Sequence, residues 1–183
     1  MHYSLEVAGL KRELTLFPIS DELQIAGFVM LGDQELTVNC ARALLEKVPD
    51  YDYILTAEAK GIPLAHEMAR QAGNARHFVA RKKMKLYMGN AISVDVQSIT
   101  TQGVQKLYLT EEDAALMKGK RVLLVDDVIS TGASLCALEK LAEKAGGIIC
   151  GRVAVLAEGD AADRKDIIFL ERLPLFDKAG NAL

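Results

Sequence analysis

Two adjacent carboxylates, Asp126 and Asp127, follow the unbroken apolar run Val122 to Val125 and precede Val128, Ile129, Ser130, Thr131, Gly132, Ala133 and Ser134. A continuous apolar run of this length reads as a strand buried on both faces. In an open parallel sheet, ligands bind beyond the carboxyl ends of such strands. The segment after the acids leads into a helix start, where unpaired N–H groups and the helix dipole attract an anion. Gly132 lets the backbone approach closely, and Ser130, Thr131 and Ser134 supply hydroxyl donors. The carboxylates would repel that anion, and they suit vicinal hydroxyls or hydrated Mg2+ instead. A sugar phosphate satisfies both halves. A nucleotide-hydrolase strand would need a Gly-rich loop ending in Lys-Ser or Lys-Thr, which the chain lacks. A receiver-type acid pair would leave too few residues after Asp127 to complete that fold. Helix-capping acids in an ordinary βα turn remain open on this stretch alone.

Two further segments carry charge. Thr56-Ala57-Glu58-Ala59-Lys60-Gly61-Ile62 follows the short apolar stretch Tyr53 to Thr56, and Arg81-Lys82-Lys83-Met84-Lys85 follows His77 to Ala80. Read singly, the first is a turn with a solvated lysine and the second a charged surface. Together they offer cations suited to a diphosphate.

Elements that could position these residues alternate along the chain. Asp33 to Val48 has helical periodicity with Leu36, Cys40, Ala43 and Leu44 inward and Pro49 as a stop. Gly61 and Pro63 open a helix that runs through Gln71 and closes at Gly73. Ala133 to Ala145 is a third helix, with Leu135, Leu138, Leu141 and Ala142 inward and Gly146-Gly147 beyond it. Strands are predicted at Tyr53–Thr56, His77–Ala80, Arg121–Val125, Ile148–Leu156 and Ile167–Leu170. This order specifies an α/β fold with a mainly parallel sheet flanked by helices. Between Met84 and Met117 the pattern changes. Ile92, Val94 and Val96 alternate with polar residues, as do Val104, Lys106 and Tyr108, with Thr100 to Gly103 between them. That predicts a β-hairpin flap standing off the core, placed to cover a site.

At 183 residues the chain reads as one domain. Its net charge of −3 gives no reason to expect nucleic acid or a membrane surface as partner. The N-terminal stretch lacks the apolar core of a signal peptide, and no run is long enough for a membrane helix. Cys40, Cys136 and Cys150 lack metal-ligand spacing and read as small buried hydrophobes in a reducing compartment. His2, His66 and His77 do not cluster in sequence. A cytoplasmic protein is expected.

The run from Val122 to Ser134 resembles the phosphoribosyl-pyrophosphate motif of the type I phosphoribosyltransferases. The resemblance implies that Asp126 and Asp127 contact the ribose hydroxyls and that Val128 to Ser134 cradles the 5′-phosphate. The segment Glu58 to Ile62 is similar to the pyrophosphate loop of adenine and orotate members, which implies Ala59 and Lys60 as binding residues with a cis Ala59–Lys60 peptide. Arg81 to Lys85 resembles the basic run before their flexible loop, which implies Lys82 and Lys85 as catalytic residues and Arg81 and Lys83 as binding ones. The implied architecture has a flexible β-hairpin flap at about 84–110 and a small hood from about 1–32 and 157–183. Phe28, Val29, Phe169 and Leu173 to Phe176 are the hood residues expected near a base. The implied reaction transfers ribose 5-phosphate from phosphoribosyl pyrophosphate to a nucleobase, with Mg2+ held mainly through the substrate and a homodimer as the assembly. Ser98 to Gly103 lacks the flap carboxylate of adenine enzymes, and Leu86 to Gly89 lacks the His and Glu of orotate enzymes. Val94 to Thr101 looks more like xanthine enzymes and purine-operon repressors. A purine acceptor is therefore expected, adenine first. Xanthine or hypoxanthine transfer, or a non-catalytic regulator, is the alternative.

Overall fold

The computed structural model describes residues 1–96 and 105–183. The chain opens with an antiparallel hairpin, β1 (His2–Val7) and β2 (Leu10–Pro18), turned by Ala8 and Gly9 at φ 51° and 75°. Leu5, Val7, Leu14 and Leu16 point inward while Glu6, Glu13 and Thr15 face water, the period-two pattern of a half-buried sheet. β3 (Leu23–Ala26) pairs with β2. Helix α1 (Gln34–Leu45) starts at Asp33, whose carboxylate accepts the Leu36 N–H at 3.0 Å. Arg12 on β2 donates to the same carboxylate at 2.7 Å, tying the first sheet to α1.

The body follows in βα units. β4 (Tyr53–Ala57) leads to α2 (Ile62–Ala72), which Gly73 closes in the left-handed region at φ 72°. β5 (Phe78–Ala80) precedes a short 3-10 turn at Leu86–Met88 and the hairpin of β6 (Ala91–Val96) and β7 (Gln105–Thr110). α3 (Glu111–Met117) is capped by the Thr110 hydroxyl, which accepts the Asp113 N–H. β8 (Arg121–Ile129), α4 (Ala133–Lys144) and β9 (Ile148–Glu158) come next. A 3-10 turn at Gly159–Asp163, β10 (Ile168–Leu173) and β11 (Phe176–Asp177) complete the chain.

Five strands form the central parallel sheet in the order β10-β9-β8-β4-β5, and β11 joins the first sheet to give β1-β2-β3-β11. This is the α/β architecture the sequence predicts. Strand β8 lies in the middle, and Val122 to Val125 are all inaccessible. Leu123 and Val125 face the core beneath α1 and α2, while Val122 and Leu124 face the core beneath α4.

Several expectations need correcting. β8 does not stop at Val125 but runs to Ile129, because pairing with β9 continues through Asp126↔Ala154 and Ile129↔Ala157. On its other side pairing with β4 ends at Thr56↔Val125. The β6–β7 hairpin does not stand off the core at its base. Leu107 and Leu109 are buried and pack with Ile92 and Val94 on the α4 side, so β7 buries the opposite face from Lys106 and Tyr108. The segment Ser98 to Gly103, with Val104, lies outside the described residues. In α1 it is Ala41 rather than Ala43 that is fully buried. Cys136 is exposed, since it faces away from the buried stripe of α4. Cys40 is buried, and burial pushes its thiol up to about 12. Among the described residues, no helix is long and apolar enough to cross a membrane.

Candidate functional site

Where β4 parts from β8 after Thr56, the space beside β8 is filled by the turn Glu58 to Gly61. Only glycine fits the last position. A Cβ on Gly61 would lie 2.4 Å from Thr56 Oγ1 and 3.3 Å from Asp126 Cα. This close approach brings Lys60 Nζ within 2.8 Å of Asp127 Oδ2. The contact is an ion pair without hydrogen-bond geometry, since among the described residues the same oxygen has no directed donor. At this strand end Asp127 is only 3% exposed and Asp126 is half-buried. The Asp127 N–H donates to Asp126 Oδ1 at 2.9 Å. Burial first, then the Asp127 charge, raises the Asp126 carboxyl from 3.8 to about 7, and Lys60 opposes the rise.

The peptide expected in cis, Ala59–Lys60, is also corrected. Among the described residues the cis bond is Glu58–Ala59, one position earlier. The turn begins at Glu58 because that residue is still tied to β5, its N–H donating to the Ala80 carbonyl at 2.9 Å.

Beyond the acids, the extended backbone of β8 carries Val128 and the buried Ile129 to an exposed turn at Ser130 and Thr131. Gly132 caps α4 from the left-handed region, at φ 80°, with no side chain over the helix start. Among the described residues the Ala133 N–H finds only the Thr131 hydroxyl, at 3.4 Å. Asp126, Val128 to Ser134 and Leu135 line a cavity of about 120 Å³. A helix start with uncapped N–H groups and three hydroxyls around a small cavity is a site for a compact anion. The guanidinium of Arg164 stands behind it, its Nη1 3.0 Å from where a Gly132 Cβ would be. Nothing in the sequence pattern marks Arg164, which comes from the segment between β9 and β10.

The basic run starts at the end of β5. Arg81 is half-buried, while Lys82, Lys83 and Lys85 are exposed and have no ion-pair partner among the described residues. Arg81 exchanges both backbone hydrogen bonds with Tyr108 of β7, at 2.8 Å each way. Glu58 lies against the start of the run, accepting the Lys82 N–H at 3.0 Å.

The expected base-contacting residues are placed unevenly. Phe28 is a core residue, packed among the side chains beneath the first sheet, and Leu173 and Phe176 are buried in the same cluster. Val29 is exposed, and Phe169, Pro174 and Leu175 are partly so. A larger cavity, about 550 Å³, lies elsewhere, between α1 and α2. His66 and His77, which do not cluster in sequence, meet edge to face there at 5.6 Å. Glu67 on its wall is fully engaged by Arg70 and Gln71. Among the described residues, no group of three or more His, Cys, Asp or Glu could hold a metal by itself.

The phosphoribosyl transferase domain matches residues 30–173. A hypoxanthine/guanine phosphoribosyltransferase of Ferroglobus placidus is 42% identical over 115 residues, 63% of this chain and 57% of the relative. An adenine phosphoribosyltransferase of Brachyspira hyodysenteriae is 34% identical over 116 residues, 63% of this chain and 65% of the relative. The chain thus spans little more than half the length of the Ferroglobus protein. Among solved structures, an adenine phosphoribosyltransferase from Thermoanaerobacter pseudethanolicus superposes with a TM-score of 0.71 at 23% identity, covering 87% of this chain and 95% of that one.

Proposed function

The chain belongs to the phosphoribosyl transferase domain family, on its type I purine branch, and from that premise we propose that it transfers ribose 5-phosphate from phosphoribosyl pyrophosphate to a purine base, releasing pyrophosphate. One observation carries the reading. The acid pair stands between an anion-binding helix start on one side and Lys60, at 2.8 Å, on the other. A ribose bearing a 5′-phosphate and a 1-diphosphate has its charges spaced in that way, with hydroxyls between.

In this reading the C1′–O bond breaks and its electron pair stays with the departing pyrophosphate. The base nitrogen supplies the pair that forms the new bond to C1′ and gives up its proton. Asp126 and Asp127 accept hydrogen bonds from the ribose hydroxyls, and the backbone and hydroxyls of Val128 to Ser134 hold the 5′-phosphate. Lys60, with the Ala59 backbone beside it, moves its charge from Asp127 toward the diphosphate. Lys82 and Lys85 stabilise the charge that grows on the leaving group, and Arg81 and Lys83 bind it in the ground state. The donor set fits a magnesium ion, which is typically bound by one or two carboxylates together with substrate phosphates. Asp126 and Asp127 would be those carboxylates, beside substrate oxygens that would hold the ion in the main, and the ion would neutralise diphosphate charge. The hairpin closing from above, and Val29 with Phe169 at the hood, would exclude water and bound the base. One domain over residues 1–183, a homodimer and a cytoplasmic setting belong to the same proposal.

Adenine is the proposed acceptor, because Glu58-Ala59-Lys60-Gly61 and Arg81-Lys82 have the spacing of adenine enzymes. A 6-oxopurine is the second reading, favoured by the Ferroglobus match. The test is pyrophosphate release from phosphoribosyl pyrophosphate and Mg2+, with adenine, hypoxanthine, guanine, xanthine, orotate and uracil offered separately. Release with adenine above all others is expected. Release with hypoxanthine or guanine instead would move the assignment to 6-oxopurines, and release with orotate or uracil alone would reject a purine acceptor. Tight binding without release would make the protein a regulator.

A further inference from the structure

Glu58 sits where an acid is costly. It shares a turn with Lys60 and lies against Arg81 and Lys82 at the start of the basic run, so its charge lowers the positive potential that a diphosphate needs. Its contacts account for its presence. Glu58 Oε2 accepts the Lys82 N–H at 3.0 Å, and Oε1 lies 3.4 Å from Arg81 Nη2. With its own N–H on the Ala80 carbonyl, Glu58 grips both sides of the corner at which β5 becomes the basic run. That corner is bonded in turn to Tyr108 at the base of the hairpin, while two residues beyond Glu58 the turn reaches Asp127 through Lys60. A single carboxylate therefore joins the two groups of cations.

The pair contributes little to folding stability, since both side chains are about a third exposed, at 27% and 31%. Among the described residues Arg81 Nε is buried with no hydrogen-bond partner, and Glu58 is the acid that orients the guanidinium.

We infer that Glu58 is a positioning residue, which fixes the start of the Arg81–Lys85 run against the Lys60 turn so that both converge on one diphosphate. The inference rests on the transferase reading and adds to it a residue that need not touch substrate.

The experiment is calorimetric titration of the wild type, Glu58→Ala and Glu58→Gln with pyrophosphate and, separately, with ribose 5-phosphate, Mg2+ present throughout, alongside thermal unfolding. Loss of one hydrogen bond to a charged group and of its orienting effect is expected to weaken pyrophosphate about tenfold in Glu58→Ala. Ribose 5-phosphate, held at the far end of the site, should stay within about twofold. Glu58→Gln keeps an oxygen for the Lys82 N–H and should recover part of the loss, with unfolding midpoints unchanged. Equal weakening of both ligands, no weakening of either, or a glutamine variant no better than alanine overturns the positioning role while leaving the transferase reading intact. A wild type that binds neither ligand removes the transferase reading itself, and the inference with it.

Discussion

Asp126 titrates near neutrality because burial, and then the charge on Asp127, oppose its ionisation. The sign is the reverse of the usual carboxylate. The native group holds its proton up to about 7, whereas the unfolded group releases it at 3.8. Between those values the native state binds more protons, so this contribution is fully present at low pH and is lost as pH rises towards about 7. Asp33, Asp52 and Glu67 act oppositely. Hydrogen bonds from Arg12, Arg121 and Arg70 hold them low, and what they contribute is lost only on acidification through their depressed values. Asp126→Asn should therefore be more stable than the wild type above neutrality, with the difference shrinking as pH falls. Guanidinium unfolding at a series of pH values measures it, and a difference that does not vary with pH would assign the titration to another group. The acid pair itself was legible as residues. Its burial was not, because Asp127 is covered by Lys60, a residue far away in sequence.

At the scale of elements, the site is made by two strands that end at different heights. β4 stops pairing with β8 at Thr56 while β8 continues to Ile129 beside β9, and the difference leaves a notch that the Glu58–Gly61 turn fills. Gly61→Ala would push a methyl against Thr56 Oγ1 and the Asp126 backbone. It should cost about 1–3 kcal/mol as an overpacked contact and weaken phosphoribosyl pyrophosphate binding. Adding Thr56→Ala relieves the side-chain clash but leaves the backbone one, so unfolding and titration of the double variant should show partial recovery. Full recovery would mean that the approach to Asp126 is unimportant. Helices α1, α2 and α4 could be read from Asp33, Pro63, Gly73 and the Gly146-Gly147 pair, since caps and breakers are local chemistry. The phase of β7 could not, because Leu107 and Tyr108 are both plausible inward residues until α4 chooses between them. The extension of β8 past the acids was hidden for the same reason: it depends on β9.

Across the whole molecule, the parallel body was readable and the first sheet was not. The alternation of Leu5, Val7, Leu14 and Leu16 was present, but Ala8-Gly9 is an unusual turn for a hairpin and β11 has only two residues. That sheet unites segments from the two ends of the described chain. β3 pairs with β11, the Gln24 amide donates to the Asp177 carbonyl at 2.8 Å, and Tyr3 meets Phe176 at 5.0 Å between ring centroids. Amide hydrogen exchange should show β3 and β11 opening together and more often than β8, which is buried and paired on both sides. Equal protection of all three would contradict it. This junction also sets a sequence of events in time. The βα units of the body can assemble from neighbours along the chain, but β3, paired with β2 on one edge, must wait for its second partner, β11, which lies beyond the entire body. Until it arrives, the outer edge of β3 is unpaired and Tyr3 lacks the ring of Phe176, so the chain passes through an interval with an open strand edge. A chaperone that recognises unpaired strand edges would act in that interval.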